Sequence, residues 1–438
     1  MRVLLVSTYD LGRQPFGLAS PAAWLRAAGH GVTLADVSRS PLAAAAIVEA
    51  DWVAFFLPMH TATRLAMRAI SRVRDINPQA RLCAYGLYAP LNAALLKRVG
   101  VEAIIGGEFE QGLVDLLSGS APREQISLAR QQFLAPDRTG LPPLASYAQL
   151  VTNGSRRVVG STEASRGCKH LCRHCPVVPV YRGAFRVVQP EVVLEDIRRQ
   201  VALGAGHFTF GDPDFFNAPA HAMRVVEVLH REWPALTYDV TIKIEHLLKR
   251  RGLLGTLRDT GCAFVTSAVE SLDDAVLEKL AKGHTRADFI EALDLMRAAD
   301  LPLSPTFIPF TPWTTAESYR SFLRETLELE LTDQVAPIQL AIRLLIPEGS
   351  LLLGLPEVRN MVGPFDERAL CYPWRNPDPC VDALSSAMQA KIKHAEQSGR
   401  ARKEIFREIW GLAGGGAFPN RPMAARATIP YLTEPWYC

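Results

Sequence analysis

Three cysteines lie close together in the segment SRGCKHLCRHC, at Cys168, Cys172 and Cys175, with the spacing Cys-x3-Cys-x2-Cys. Thiolates are soft ligands that suit iron–sulfur clusters and zinc. Three thiolates can hold three irons of a cubane and leave the fourth iron open to another ligand. The spacing therefore predicts a [4Fe–4S] cluster bound by these three side chains.

Two other interpretations of these cysteines stay open. A structural zinc site would take His170 or His174 as its fourth ligand, and a chance group of structural cysteines would bind no metal. Structural zinc usually has two pairs of ligands separated in sequence, but the chain has no second Cys-x2-Cys. The cluster is therefore the interpretation that fits the spacing best.

Residues 156–350, which include the cysteine motif, resemble the radical S-adenosylmethionine (SAM) superfamily. The resemblance implies that the open iron chelates the amino and carboxylate groups of SAM. It also implies that an electron from a flavodoxin- or ferredoxin-type donor cleaves a carbon–sulfur bond of SAM, which is chemistry that belongs to the cofactor. The superfamily usually has an aromatic residue before the third cysteine, packed on adenine. Because His174 occupies that position here, we expect His174 to contact SAM.

Two later loops resemble SAM-binding loops of the superfamily. FGDPDFFN carries Gly211, Asp212 and Asp214 where relatives have a Gly-Gly-Glu-like motif, and SAVES carries Ser267 and Glu270. A carboxylate in the first loop suits the methionyl ammonium group, and Glu270 suits the SAM ribose or methionyl group. The alternatives are a plain turn, since Gly-Asp-Pro-Asp is rich in turn formers, and a helix cap after SAVES.

Three further charged residues complete the predicted cofactor site. Lys243 and Glu245 follow the third predicted strand of the barrel. They are expected near the carboxyl ends of the strands, as Glu270 is. Arg343 interrupts the apolar segment 338–345, which predicts a strand, and is expected to point into the barrel. A charged side chain in such a strand needs a partner. That partner would be the SAM carboxylate, the substrate or a structural carboxylate.

These residues follow a series of predicted strands that alternate with helices. A helix is expected from Pro190 to Leu203, since proline is favoured at the first helical position. Alternation of this kind indicates a parallel sheet, and six such units suit an open (β/α)6 barrel over residues 156–353. The predicted barrel strands are residues 158–162, 207–210, 237–242, 263–268, 303–310 and 338–345.

Residues 1–119 also alternate strands and helices, which predicts an α/β domain with a doubly wound parallel sheet. The segment VGVEAIIGGEFEQGLVDLL, residues 99–117, resembles the cobalamin-binding domain that precedes many radical SAM cores. The usual ligand motif Asp-x-His-x-x-Gly is absent, because the first loop reads STYDLGRQPFG. Cobalamin without a protein histidine ligand is one expectation, and a cobalamin-free domain is the alternative.

The rest of the chain is expected to be a linker, residues 120–155, and a mainly helical C-terminal extension, residues 354–438, with one helix over residues 381–412. The last segment, ATIPYLTEPWYC, resembles radical SAM proteins that end in Cys-Cys-Ala-Glu-Pro, where selenocysteine sometimes replaces the second cysteine. We therefore expect a selenocysteine after Cys438 in the natural protein.

Composition excludes some classes of function. A net charge of +3 over 438 residues, without a clustered basic face, is not typical of a nucleic-acid-binding protein. No run approaches the roughly 20 apolar residues that span a bilayer, and no signal peptide is recognisable. The sequence thus predicts a cytoplasmic radical SAM enzyme that acts on a small molecule, through cobalamin-dependent methyl transfer or other radical bond formation. A non-catalytic zinc scaffold on the same fold is the alternative from another class.

Overall fold

The computed structural model describes residues 1–120, 125–152, 154–398, 400–418 and 429–434. The first part is a six-stranded sheet in the order β2-β1-β3-β4-β5-β6, and all its strands are parallel. Its strands are β1 (Arg2–Ser7), β2 (Gly31–Asp36), β3 (Trp52–Phe56), β4 (Arg81–Tyr85), β5 (Ala103–Gly107) and β6 (Ile126–Ser127). The helices are α1 (Phe16–Ala27), α2 (Ala44–Glu49), α3 (His60–Ile76), α4 (Tyr88–Leu91), α5 (Ala93–Arg98) and α6 (Glu110–Leu117). The doubly wound parallel sheet is thus confirmed.

Helix α1 contains a proline in its interior, at Pro21. Proline is otherwise favoured at the first helical position. Inside the helix, Pro21 cannot donate to the carbonyl four residues earlier, which belongs to Gly17. The Tyr85 hydroxyl donates to that carbonyl at 2.8 Å instead. A side chain from β4 therefore replaces the hydrogen bond that Pro21 removes.

The second sheet has seven strands in the order β14-β13-β12-β11-β8-β7-β15. Strands β8, β11, β12, β13 and β14 run parallel, while β7 and β15 add an antiparallel edge. These strands are β7 (Gln149–Thr152), β8 (Ser155–Thr162), β11 (His207–Phe210), β12 (Thr237–Thr241), β13 (Cys262–Glu270), β14 (Leu303–Phe307) and β15 (Tyr431–Leu432), while β9 (Ser165–Gly167) and β10 (Phe185–Val187) form a separate pair. The helices between and after them are α7 (Val177–Tyr181), α8 (Pro190–Ala202), α9 (Pro219–Glu232), α10 (Ile244–Lys249), α11 (Leu254–Asp259), α12 (Asp274–Leu280), α13 (Arg286–Ala298), α14 (Ala316–Glu328), α15 (Pro356–Met361), α16 (Pro379–Gln397) and α17 (Arg402–Leu412). The curled sheet with helices outside it confirms the partial barrel.

The predicted sixth barrel strand, residues 338–345, is not a strand. Residues Pro337–Leu340 form a 3-10 turn, and only one parallel bridge, between Phe310 and Arg343, continues the sheet beyond β14. Pro337 begins the turn, and the Tyr319 hydroxyl donates to the Leu340 carbonyl at 2.9 Å. A carbonyl bound by a side chain is not available to a ladder of strands.

The C-terminal extension contains two long helices where the sequence predicts one. Helix α16 ends at Gln397 and α17 begins at Arg402, because the intervening Ser-Gly pair is unfavourable inside a helix. Both helices bury apolar side chains, such as Met388 and Ile409, in the barrel core. None of the described helices is long and apolar enough to cross a lipid bilayer. Cys438, where selenocysteine is expected to follow, lies outside the described residues.

Candidate functional site

The three cysteines occupy the loop between β9 and α7, after the first parallel strand of the barrel, where the sequence predicts them. The Cys175 amide donates to the Cys172 carbonyl at 3.1 Å, which closes a tight turn between these two cysteines. The Arg173 amide donates to the Leu280 carbonyl at 2.9 Å and so anchors the loop to α12. The loop is therefore held by backbone contacts that leave the thiols free.

The three thiols are not part of a group close enough to bind one zinc ion together. Tetrahedral zinc with sulfur ligands at about 2.3 Å brings the sulfurs to about 3.8 Å from one another. Among the described residues, the only group of three metal-ligand side chains whose ligand atoms all lie within 4.8 Å of one another does not include a cysteine. Burial raises the pKa of Cys168 to about 11 and that of Cys175 to about 12. Deprotonation therefore requires positive charge nearby, which iron would provide.

Asp212 accepts hydrogen bonds from the segment that precedes the cysteine loop. Its carboxylate accepts hydrogen bonds from the Ala164 amide at 2.9 Å and the Ser165 hydroxyl at 2.5 Å. Burial raises the pKa of Asp212 to about 7. The neighbouring Gly211 amide donates to the Thr162 carbonyl at 2.8 Å. Both Asp212 oxygens are thus occupied by the segment before the cysteines, and contacts of Gly211 and Asp212 with SAM stay predictions.

Glu270 and His174 meet at the carboxyl end of β13. The Glu270 carboxylate lies 3.0 Å from His174 Nε2 and 3.3 Å from Lys282 Nζ. Burial alone would raise the pKa of Glu270, but Lys282 and His174 lower it to about 2. Glu270 also has a φ of 70°, a left-handed conformation that is uncommon for a non-glycine residue. Its contact with His174 places Glu270 beside the cysteine loop. Burial would lower the pKa of Lys282, but Glu270, Cys172 and Cys175 raise it.

We expect Lys282→Met to lower the free energy of unfolding by about 3 kcal/mol, because it leaves Glu270 buried with only His174 as a partner. Chemical denaturation under anaerobic conditions measures this loss. Lys279→Met is the matched control, since the ion pair of Lys279 with Glu357 is 34% and 41% exposed and such pairs contribute under about 1 kcal/mol. Equal losses in the two variants would show that the Glu270–Lys282 pair has no special weight.

Several buried polar atoms near the mouth of the barrel have no hydrogen-bond partner. They are Ser267 Oγ in β13, Thr306 Oγ1 in β14, His174 Nδ1 and both ring nitrogens of His284. Buried polar groups are normally satisfied, so unpaired atoms on neighbouring elements indicate a polar ligand. The donor and acceptor set fits a nucleoside with an amino-acid tail, as in SAM.

Asp214, Lys243 and Glu245 lie around a pair of histidines. Asp214 Oδ2 is 2.7 Å from His246 Nδ1 and 3.5 Å from His170 Nε2. Burial would raise the pKa of Asp214, but these two imidazoles lower it. Glu245 Oε2 lies 3.5 Å from both His170 Nδ1 and Lys243 Nζ. The predicted residues Asp214, Lys243 and Glu245 are therefore brought together, around histidines that the sequence did not assign to this group.

Arg343 has a protein partner. Its guanidinium lies 2.7 Å from the Asp382 carboxylate, donates to the Trp374 carbonyl at 2.7 Å and stacks 3.6 Å above the Trp374 ring. A structural carboxylate, one of the three partners expected for Arg343, is therefore in contact with it. Residues 338–345 do not form the predicted strand, although Arg343 keeps a parallel bridge to Phe310. Its contacts fix the C-terminal extension, and its contact with SAM stays a prediction.

A buried arginine joins the two sheets. Arg166, two residues before Cys168, lies 2.7 Å from Glu110, 3.3 Å from Glu108 and 2.8 Å from Glu163. Glu108 and Glu110 follow β5 of the first sheet, and neither side chain is exposed to solvent. The carboxyl edge of the first sheet is therefore tied directly to the cysteine loop.

The edge of the first sheet also bears on cobalamin. Ser7 Oγ at the end of β1 is buried without a hydrogen-bond partner, at the edge where parallel sheets of this type bind ligands. The loop from Thr8 to Pro15 contains no histidine, and His60 Nε2 lies 2.5 Å from the Ala369 carbonyl. The edge fits a polar ligand, but neither the loop from Thr8 to Pro15 nor His60 offers a histidine ligand to cobalt.

Sequence analysis did not identify Lys282, His246 and Arg166 as site residues. Lys282 follows a helix in a segment without a recognisable motif, and His246 resembles any helical histidine. Arg166 stands inside the cysteine motif, but its partners are 56 and 58 residues away in sequence. The available signal was the Gly-Glu-x-Glu pattern at Glu108 and Glu110, whose two carboxylates require a cation once they are buried.

Comparisons with known proteins agree with this geometry. The family model of the radical SAM superfamily matches residues 162–325. The hopanoid C-3 methylase of Methylococcus capsulatus is 26% identical over 335 residues, which is 71% of this chain and 64% of that protein. A threonylcarbamoyladenosine tRNA methylthiotransferase of Thermotoga maritima is 21% identical over 61% of this chain and 59% of its own length. The chain thus spans under two thirds of these curated relatives.

A solved structure shares the arrangement of both sheets. The radical SAM methyltransferase TsrM from Kitasatospora setae, with cobalamin and a [4Fe–4S] cluster bound, has a TM-score of 0.67 at 15% identity and covers 95% of this chain and 99% of its own. At that identity the likeness concerns the fold. Together with the family match over residues 162–325, which covers the cysteine loop and most of the barrel, it shows that this chain contains a radical SAM domain.

Proposed function

We propose that this protein is a radical SAM enzyme that methylates a small molecule with the help of cobalamin. The observation that supports the proposal most is the Arg166 contact, which ties the carboxyl edge of the first sheet to the cysteine loop. A cofactor at that edge would lie beside SAM. TsrM, which shares this fold, is a methyltransferase with cobalamin bound, and the hopanoid relative is named a methylase. Both support methyl transfer over other reactions.

The residues of this chain have separable roles in that proposal. Cys168, Cys172 and Cys175 would hold the cluster, which when bound supplies the electron that cleaves SAM. His174 would pack against adenine, and Glu270 would accept a hydrogen bond from the ribose or the methionyl group. Burial would raise the pKa of Glu270, but Lys282 and His174 lower it to about 2 and so keep the carboxylate ionised as an acceptor.

The partners follow from the same chemistry. The substrate would be a small molecule, and the electron would come from a flavodoxin- or ferredoxin-type protein. Neither a nucleic acid nor a membrane is part of the proposal, since the net charge is only +3 over 438 residues. Such a donor and substrate place the enzyme in the cytoplasm.

A second candidate is radical bond formation or rearrangement without cobalamin. It is favoured by the loop from Thr8 to Pro15, which has no histidine, and by the engagement of His60 with Ala369. In that case the first domain would serve packing and substrate access. A zinc-bound scaffold is a further alternative, which metal analysis distinguishes from both enzymes.

The deciding experiment is anaerobic reconstitution with iron and sulfide, with and without cobalamin, followed by incubation with SAM and a reductant. Formation of S-adenosylhomocysteine only when cobalamin is present would support methyl transfer. Formation of 5′-deoxyadenosine regardless of cobalamin would support the second candidate. Zinc in place of iron, with intact SAM, would support the scaffold.

We also expect bound cobalamin to have no protein nitrogen on its lower face, because the first loop offers no histidine. Electron paramagnetic resonance of the cob(II)alamin form should show no nitrogen splitting from the protein. Growth on nitrogen-15 distinguishes protein ligands, since a splitting that changes with the label must come from the chain. A labelled splitting, or failure to retain cobalamin at all, would contradict this expectation.

A further inference from the structure

We propose that His170, Asp214 and His246 bind one divalent metal ion, Zn²⁺, in a site separate from the iron–sulfur cluster. One ligand atom from each of these side chains lies within 4.8 Å of the other two. The site joins three elements of the barrel. His170 lies in the cysteine loop, Asp214 follows β11, and His246 is in α10.

The three ligand atoms face one another without forming hydrogen bonds. His170 Nε2, Asp214 Oδ2 and His246 Nδ1 are all buried, and none has a hydrogen-bond partner. The side chains of Asp214 and His246 are only 2% and 4% exposed. Leaving a buried polar atom unpaired is unfavourable. A single cation between them would satisfy all three at once.

A plain His–Asp–His hydrogen-bond chain does not account for this arrangement. His246 Nδ1 is 2.7 Å from Asp214 Oδ2, close enough for a hydrogen bond. The N–H direction of this nitrogen does not meet the oxygen at a hydrogen-bond angle. Both lone pairs are therefore available to one ion, which would widen the contact to about 3.3 Å, the separation of two tetrahedral zinc ligands at about 2.0 Å.

The surroundings orient the ligands. Glu245 Oε2 lies 3.5 Å from His170 Nδ1, which is the carboxylate position behind a metal-binding histidine that fixes its ring and its tautomer. Asp214 Oδ1 accepts a hydrogen bond from the Phe216 amide at 3.0 Å, which leaves Oδ2 for the metal. The rings of His170 and His246 are 4.7 Å apart and tilted by 57°. Glu245 and the Phe216 amide thus orient His170 and Asp214 independently of the metal.

The donor set selects the ion. Two imidazoles and one carboxylate suit zinc and iron(II), and zinc binds such sites more tightly than iron(II) in the usual order of affinities. Three protein ligands leave a coordination position open, as in catalytic zinc sites. The open position would take an oxygen or nitrogen atom of the substrate, next to the cysteine loop.

The test is metal analysis of the full-length protein after anaerobic cluster reconstitution, one added equivalent of Zn²⁺ and removal of unbound metal. We expect about one zinc in addition to about four irons per chain. Asp214→Asn and His246→Gln should each weaken zinc binding at least about 100-fold in chelator competition, while iron and visible absorbance stay unchanged. His230→Gln, in α9, is the matched histidine control and should keep both metals.

A milder variant guards against misfolding. Glu245→Gln keeps all three ligands and should weaken zinc binding by roughly tenfold to 100-fold, as for other residues behind a ligand. Zinc binding that is equal in the wild type and the Asp214 and His246 variants would overturn the proposal. So would an Asp214→Asn protein that keeps its zinc but binds SAM more weakly, since Asp214 would then serve the methionyl ammonium. A wild-type protein that binds zinc but does not cleave SAM would count against the proposed function and not against this site.

Discussion

Cys172→Ala is expected to lose the iron, the visible absorbance and the SAM-cleaving activity of the reconstituted protein together. Two thiolates would remain for a cluster that needs three, and the fourth iron must stay open for SAM. The loop offers no replacement thiol, because the other described cysteines, Cys83, Cys262, Cys371 and Cys380, lie on other segments. Iron analysis, absorbance and detection of 5′-deoxyadenosine or S-adenosylhomocysteine measure the three losses.

Cys262→Ala is the matched control for this prediction. Cys262 begins β13, and Glu270 ends the same strand, so the two lie about 26 Å apart at the usual rise of a strand. Cys262 is buried, and burial raises the pKa of its thiol well above the usual value. The variant should keep about four irons and its activity. If the triple variant at positions 168, 172 and 175 still cleaved SAM at the wild-type rate, the radical SAM mechanism would be excluded.

Local patterns in the sequence predicted the barrel elements that follow the cysteine loop. Strand β11 was placed at its observed bounds, residues 207–210, and α8 to within one residue, because apolar spacing and an initial proline act over a few positions. Residues 338–345 have the same apolar character but form a turn, because the contact that decides their structure comes from Tyr319. Apolar periodicity alone therefore does not identify a strand at the edge of a sheet.

The charged residues of the site show the same limit. The sequence predicted Glu270, from its motif, but not Lys282, which lies 12 residues later and reaches back to it. It predicted Asp214 but assigned it to an ammonium group, because the two histidines that face Asp214 come from the cysteine loop and from α10. A motif fixes which residue types follow a strand, whereas the partners of those residues depend on how several strands assemble.

Arg166→Met is expected to lower the free energy of unfolding by about 5 kcal/mol, at the upper end of the cost of breaking a buried ion pair. The change leaves Glu108 and Glu110 buried between the two sheets without their cation. Burial already raises the pKa of Glu108 to about 7, and Arg166 is the main group that opposes this rise. Methionine preserves much of the side-chain volume among the rings of Phe16, Phe109 and Phe133, which surround the guanidinium.

The pH dependence of the stability lost in Arg166→Met shows whether charge or packing causes that loss. Without the guanidinium, Glu108 would have a folded pKa still further above its unfolded value of 4.5, so folding would take up a proton. Stability then falls as pH rises from the unfolded pKa to the folded one, and the loss should be larger at pH 8 than at pH 6. Denaturation of cluster-free protein at both pH values measures this, with Arg198→Met as the control, since its ion pair with Glu232 is 42% and 32% exposed. Adding Glu110→Gln to Arg166→Met should restore part of the loss, because it removes one of the two stranded carboxylates. A loss that is independent of pH and is not relieved by Glu110→Gln would mean that packing, and not charge, couples the first sheet to the cysteine loop.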